Sequence, residues 1–144
     1  STVGSNVIFT PSNGVTAYRL SGSELEKLWN SPQLSPGTPS PVVIGDRVYI
    51  INRAGVLAAG NAESGERLWQ LRLKGPFSAT PVVAGNRMYA VSESGLLQIV
   101  SLNDSGRADI SDTHDFEETI LGTPAVSGDA IYLRSDNSLW KVSR

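Results

Sequence analysis

The chain has 144 residues, of which 40 % are hydrophobic and 18 % are charged, a composition typical of a packed globular domain and not of a disordered chain. A net charge of −2 argues against a general nucleic-acid-binding protein, because phosphate recognition needs a clustered basic excess. The sequence has no cysteine, which excludes disulfide bonds, thiolate catalysis and cysteine-bound metal. The longest apolar runs, such as residues 48–51, are far too short to span a bilayer, so no membrane insertion is predicted.

In chain order, a pattern of proline, valine, glycine and tyrosine recurs about every forty residues. A weak copy occupies residues 3–9, and three clear copies follow at 41–49, 81–89 and 124–132. Successive copies are offset by 41, 40 and 43 residues. Repeats of this length that consist of short strands are typical of β-propeller blades. The sequence therefore predicts an all-β fold, a β-propeller of four-stranded antiparallel blades.

The second copy indicates how each repeat divides into strands. We predict strands at 41–44, 47–52, 56–61 and 67–73, because turns rich in glycine, asparagine, aspartate and serine separate them. The third copy divides in the same way, with turns at residues 85–86, 94–95 and 105–106.

The chain is predicted to be one partial propeller domain, residues 1–144. Its blades are approximately residues 1–38, 39–78, 79–121 and 122–144. The last blade ends after its third strand, so the chain holds about four blades, of which the fourth is without its outer strand.

The predicted strands of a blade differ in which of their faces are apolar. Residues 42–44 and 48–51 are apolar on both faces, which predicts that a neighbouring blade covers each side. Residues 67–73 alternate instead, with Trp69 on the apolar face, as expected of an outer strand near solvent. Residues 20–29 also have the spacing of a short helix, but the corresponding segment of the second copy favours a strand.

Residues 59–69 resemble the tryptophan-docking motif of the quinoprotein-type (pyrroloquinoline-quinone-like) β-propeller repeat. That motif reads Ala-x-Asp-x-x-Thr-Gly-x-x-x-Trp, so Asn61 and Ser64 are conservative departures from it. The third copy of the repeat has Asp109 where the tryptophan is expected.

The resemblance implies a structural role for the residues of this motif. Trp29 and Trp69 are predicted to fasten one blade to the next, because an indole can lie over neighbouring backbone and give its N–H a partner. Ala59 and Gly65 are assigned to the same blade-docking role.

The resemblance also implies two groups of proteins with different functions. One group is the alcohol and sugar dehydrogenases that bind pyrroloquinoline quinone and calcium. The other is non-catalytic and includes the propeller lipoprotein of the outer-membrane β-barrel assembly machinery. No segment matches the calcium-ligand positions of the enzymes, and the vicinal disulfide that many of them carry needs cysteine. We therefore predict no enzyme activity, catalytic residue, cofactor or metal, with the C-terminal part of a quinone-dependent dehydrogenase as the alternative.

Acidic residues surround the only histidine of the chain. The cluster consists of Asp112, His114, Asp115, Glu117 and Glu118. A histidine among carboxylates can bind a metal or act as a general base near neutral pH. A solvated outer strand is the favoured interpretation, because the segment does not have the spacing of a calcium loop. In that case the cluster would present negative charge to a basic partner.

A partial propeller is expected to expose two blade faces and a strand edge, and such surfaces favour association. Either the remainder of a longer propeller or a second copy in a homodimer would cover them. We therefore predict a scaffold for protein–protein interaction that does not bind nucleic acid. The resemblance implies envelope or outer-membrane protein assembly as the process, and a bacterial protein in the periplasm or elsewhere outside the cytoplasm.

Overall fold

The computed structural model describes the backbone of residues 2–4, 7–103 and 107–143, and side chains from residue 7 onward within these ranges. The described residues form strands and turns, and none of them lies in a helix that could cross a membrane. The strands are β1 (Thr2–Gly4), β2 (Val7–Pro11), β3 (Val15–Ser21), β4 (Glu24–Ser31), β5 (Val42–Ile44), β6 (Arg47–Ile51), β7 (Val56–Asn61), β8 (Arg67–Arg72), β9 (Val82–Ala84), β10 (Arg87–Val91), β11 (Leu96–Leu102), β12 (Ala108–Asp115), β13 (Ala125–Ser127), β14 (Ala130–Arg134) and β15 (Leu139–Ser143).

Each sheet is a meander of antiparallel strands that follow one another in the chain. The strand orders are β1-β2-β3-β4, β5-β6-β7-β8, β9-β10-β11-β12 and β13-β14-β15. This confirms the predicted all-β fold of four-stranded antiparallel sheets with a three-stranded last sheet. Residues 20–29 belong to β3, β4 and the turn between them. The residue limits of the blades stay a prediction, and the predicted turn at 105–106 lies outside the described residues.

The chain divides into two compact units, residues 1–70 and 71–144, and the division falls within β8. In unit 1, side chains of the first and second sheets share one core. Its buried members are Phe9, Val15, Ala17, Leu34, Val48, Ile50 and Ala58. Strand β6 is buried from Val48 to Ile51, so both of its faces are covered, as its two-sided apolar sequence predicts. Burial of each large apolar side chain contributes about 1.5–3 kcal/mol.

Unit 2 has a core of its own, to which the third and fourth sheets both contribute. Its buried members are Ala79, Val91, Leu97, Phe116, Ile120, Ile131 and Leu133. Two fully buried side chains of this unit, Ser92 and Gln98, are polar, and Gln98 lies on β11. Its amide oxygen accepts a hydrogen bond from the backbone N–H of Lys74 at 2.8 Å, and its amide nitrogen donates to the carbonyl of Lys74 at 2.9 Å. Gln98 therefore ties the segment that leads into the third sheet to the centre of that sheet.

Candidate functional site

Trp29 on β4 packs against the turn that follows β7 in the second sheet. Its indole N–H donates a hydrogen bond to the carbonyl of Ala62 at 3.2 Å. Its ring lies against Gly65, where a Cβ atom would come within 2.5 Å of the Cε3 atom of Trp29. Gly65 also has a φ of +74°, which side chains disfavour. Both the contact and the backbone conformation therefore require glycine at this position.

The turn that receives Trp29 is closed by its own side chains. The Oδ1 atom of Asn61 accepts hydrogen bonds from the N–H groups of Glu63 and Ser64 at 2.8 and 2.9 Å. The Oγ atom of Ser64 accepts one from the N–H of Glu66 at 3.3 Å. Asn61 and Ser64 supply the same acceptor oxygens as the aspartate and threonine of the motif, so their departures keep the chemistry of the turn.

Trp69 and Ala59 lie in the second sheet near Tyr49. Ala59 is fully buried and lies opposite Tyr49, and the rings of Tyr49 and Trp69 are 6.0 Å apart. In the first sheet, the rings of Phe9 and Trp29 are similarly 5.8 Å apart. The Nε1 atom of Trp69 is buried and has no hydrogen-bond partner among the residues that the structure describes. The blade-docking role of Trp29, Trp69, Ala59 and Gly65 stays a prediction.

The acidic cluster does not form one site. Asp112 and His114 are exposed on the outer strand β12, and the ring of His114 meets Phe116 edge-on at 4.6 Å. Asp115 accepts a hydrogen bond from the N–H of Glu117 at 2.9 Å, which closes a turn. No group of three or more histidines and carboxylates in the described part of the chain could hold a metal ion.

Glu118 lies apart from the exposed residues of this cluster. It is half-buried, and its carboxylate accepts hydrogen bonds from the hydroxyls of Ser135 and, at 3.2 Å, Ser138. The indole N–H of Trp140 donates to the Oγ atom of Ser135 at 3.3 Å, and the rings of Phe116 and Trp140 are 5.1 Å apart. Glu118 thus connects the segment after β12 to the hairpin of the fourth sheet.

Sequence reasoning did not identify the buried polar residues Gln98 and Ser135. Gln98 gives a signal that could have been read, because it is the one polar residue in the apolar run of residues 96–100. A buried amide in such a run needs partners. Ser135 is one of two serines in the connection between β14 and β15, so nothing in the sequence distinguishes it.

The strand register defines which residue takes the place of Trp29 in the other unit. In the first sheet, Phe9 lies opposite Ala17, and Ala17 lies opposite Trp29. The pairing of β3 and β4 then shifts between Ala17 and Tyr18. Alanine opposite tryptophan leaves room for the large ring.

In the third sheet, Tyr89 lies opposite Ile99, and Ile99 lies opposite Asp112. The register shifts between Ile99 and Val100, at the same place as in the first sheet. Asp112 therefore occupies the position of the tryptophan, and the assignment of this position to Asp109 is wrong. The repeat offset cannot detect that β11 and β12 have 7 and 8 residues where β7 and β8 have 6 each, or that the register shift adds a residue to β12.

A groove of about 450 Å³ lies beside Asp112, between the third and fourth sheets. We call it the Asp112 groove. Its lining includes Arg87, Tyr89, Ile99, Asp112, Asp129 and Ile131. A groove of about 500 Å³ in unit 1 includes Phe9 and Asp46 in its lining, but Trp29 is not part of that lining. At the same register position, Trp29 packs against the next sheet in unit 1, whereas Asp112 lines a groove in unit 2.

Comparison with known proteins agrees with this fold. A family model described as outer membrane protein assembly factor BamB matches residues 11–112. The chain is similar to the crystal structure of BamB from Moraxella catarrhalis, with a TM-score of 0.74 and 20 % sequence identity over 97 % of this chain. The match covers 42 % of that protein, so the chain spans less than half of its length. At this identity the likeness shows the fold, which is that of a β-propeller. No curated protein sequence matches the chain.

Proposed function

Because the chain belongs to the family described as outer membrane protein assembly factor BamB, we propose that it is a non-catalytic β-propeller scaffold for proteins in outer-membrane protein assembly. The observation that carries this proposal is the family match, which extends over residues 11–112 of the 144. The likeness in fold to BamB over 97 % of the chain supports it. Outer-membrane protein assembly is the process named in the description of the family, and we propose it for this chain.

The use of polar side chains in the described residues also supports a scaffold. Gln98 and Glu118 hold backbone and loop positions by hydrogen bonds, and Trp29 uses its N–H to connect two sheets. Each of these groups has a structural partner. Exposed large apolar side chains, Leu68, Leu121 and Leu139, offer surface for protein contacts.

The proposal includes a bacterial origin, a location outside the cytoplasm and protein partners. It also includes completion of the propeller, either by further blades of a longer chain or by a second copy that pairs through the open blade faces. Light scattering at several protein concentrations tests the second alternative. A homodimer would have twice the mass of the 15.3 kDa chain.

Photo-crosslinking in cells tests the scaffold function. A photoreactive amino acid is placed at Leu68, Leu121 or Leu139, outside the Asp112 groove, in the full-length protein. We expect ultraviolet-dependent adducts with a component of outer-membrane protein assembly at one or more of these positions. Samples kept dark are the control, and cell fractionation reports the compartment. Folded protein that gives no protein adduct from any exposed position would contradict the scaffold.

The dehydrogenase alternative predicts a different measurement. A chain from such an enzyme would bind pyrroloquinoline quinone in the presence of calcium, as part of the complete propeller. Titration calorimetry with the quinone, with and without calcium, separates the two functions. Saturable, calcium-dependent binding would favour the enzyme over the scaffold.

A further inference from the structure

The Asp112 groove carries two carboxylates on opposite sheets. Asp112 lies on β12 of the third sheet, and Asp129 lies in the turn between β13 and β14 of the fourth sheet. Both are exposed, and Arg87 is the half-buried cation of the lining. Within the described residues, none of these three side chains forms an ion pair. The groove therefore has a net charge of −1 that is not neutralised by a salt bridge, and this favours a cationic occupant.

The corresponding turn of unit 1 neutralises its own carboxylate. Asp46 follows a glycine, as Asp129 does, but the next residue is Arg47, whose Nε atom is 3.8 Å from the Oδ1 atom of Asp46. In the fourth sheet the next residue is Ala130. The repeat thus retains the carboxylate in the fourth sheet without the adjacent arginine, which leaves Asp129 available for a cation from elsewhere.

The walls of the groove are apolar and aromatic. Tyr89 and Ile99 are half-buried on the third sheet, and Ile131 is buried on the fourth. Val126, which also lines the groove, is 41 % exposed. An occupant that fits these walls and the carboxylates has an apolar stem and a planar, positively charged head.

We propose that the Asp112 groove binds an arginine side chain presented by a partner protein. The guanidinium group would donate hydrogen bonds to Asp112 and Asp129, and its plane would stack on the ring of Tyr89. The methylene stem would lie along Ile99 and Ile131. One oxygen of Asp112 already accepts the N–H of Thr113 at 2.8 Å, which holds the carboxylate in place. This inference rests on the proposed scaffold function and specifies the chemistry of the partner.

The test uses the 144-residue chain and two peptides that differ in one group. One probe is an acetylated, amidated five-residue peptide with a central arginine between valines, and the other has citrulline, which is neutral and nearly identical in shape. Nuclear magnetic resonance titration measures both dissociation constants and the residues whose amide signals move. We expect the arginine peptide to bind about fivefold more tightly, as for an exposed, hydrogen-bonded ion pair. The signals of Asp112, Asp129 and Ile131 should move.

Three variants test whether the groove is the site. Asp112→Asn and Asp129→Asn should each remove most of the preference for arginine over citrulline. Asp115→Asn makes the same change of charge on β12 outside the groove lining and should leave the preference intact. Spectra of the free variants show whether each is folded.

Several results would overturn the inference. They are equal binding of the two peptides, no detectable binding of the arginine peptide, signals that move elsewhere, or an equal effect of Asp115→Asn and Asp112→Asn. These results would not affect the scaffold function, because crosslinking at Leu68, Leu121 and Leu139 tests that function away from the groove. Failure of crosslinking together with a preference for arginine would instead leave the groove as a binding site and remove the scaffold function.

Discussion

The first sheet, in unit 1, and the third sheet, in unit 2, have the same strand register. At the matching position of their outer strands they carry opposite kinds of residue. In unit 1 that residue is Trp29, which packs on Gly65 and hydrogen-bonds to Ala62 in the next sheet. In unit 2 it is Asp112, which is exposed and lines a groove. The register position is therefore fixed by the fold, whereas the chemistry placed there is free to differ.

Unit 2 connects its two sheets by other means. Phe116 packs on Trp140, and the Glu118 carboxylate binds the hydroxyls of Ser135 and Ser138. These contacts come from the segment after β12 and from the β14–β15 hairpin, some distance along the strand from Asp112. Because the connection is made elsewhere, the tryptophan position of unit 2 is available for another role.

The largest change in the free energy of unfolding is expected from removal of the Trp29 indole in unit 1. Trp29→Ala should lower the free energy of unfolding by about 3 kcal/mol, because it removes packing against Gly65 and the core as well as a hydrogen bond. Asp112→Ala at the matching position of unit 2 should change it by less than about 0.5 kcal/mol. Urea denaturation of both variants gives the values. Equal losses in the two units would mean that the two positions do not differ in their contribution to stability.

The next effect concerns the turn that receives Trp29. Gly65→Ala should destabilise the chain by about 2–3 kcal/mol, because its φ is positive and its Cβ atom would collide with the indole. Gly45→Ala is the matched control, since Gly45 has a φ of +57° but nothing within 4 Å of an added Cβ. It should cost about 1 kcal/mol.

A double variant separates the two causes at Gly65. In a chain that carries Trp29→Ala, Gly65→Ala should cost only as much as Gly45→Ala, because the collision has been removed. A full cost in that background would show that the backbone conformation alone accounts for the requirement for glycine.

A smaller effect is expected in unit 2, where the buried amide of Gln98 holds the backbone of Lys74. Gln98→Leu should cost about 1–2 kcal/mol, because the backbone N–H and carbonyl of Lys74 each lose a hydrogen bond. Gln70→Leu is the same substitution at an exposed position and should have an effect near zero. Hydrogen exchange at the Lys74 amide provides a local readout, and unchanged protection there would contradict the assigned role of Gln98.

The sequence predicted the fold because the repeat carries its own turn chemistry. The glycine before Asp46 and the apolar run after it are enough to define a hairpin of buried strands, and the same signals recur in each copy. The docking motif predicted a role for Gly65 in the same way. The sequence did not reveal the greater length of β11 and β12 or the register shift between them, and for this reason Asp109 was predicted where Asp112 lies.

The acidic cluster shows a second limit of the sequence. Asp112, Asp115 and Glu118 are alike as charged residues close together in the chain. The structure places them in a groove, in a turn and in a half-buried network, respectively. Strand pairing and the return of the β14–β15 hairpin decide these surroundings, and both depend on residues far away in the sequence.

The smallest change in the free energy of unfolding is expected for a double variant that gives the third sheet the residue pairing of the first. The double variant Ile99→Ala with Asp112→Trp reproduces the pairing of alanine and tryptophan seen at Ala17 and Trp29. Since an aromatic pair contributes about 0.5–1.5 kcal/mol beyond its buried area, contact with Tyr89 should raise the free energy of unfolding by about 1 kcal/mol over that of Ile99→Ala alone. Asp112→Trp alone should not gain stability, because Ile99 occupies the space that alanine leaves in the first sheet.

The double variant should also lose the preference for the arginine peptide, because the indole replaces a carboxylate in the Asp112 groove. Unchanged arginine binding in a folded double variant would mean that the peptide binds elsewhere, and that the tryptophan position of unit 2 has no part in recognition.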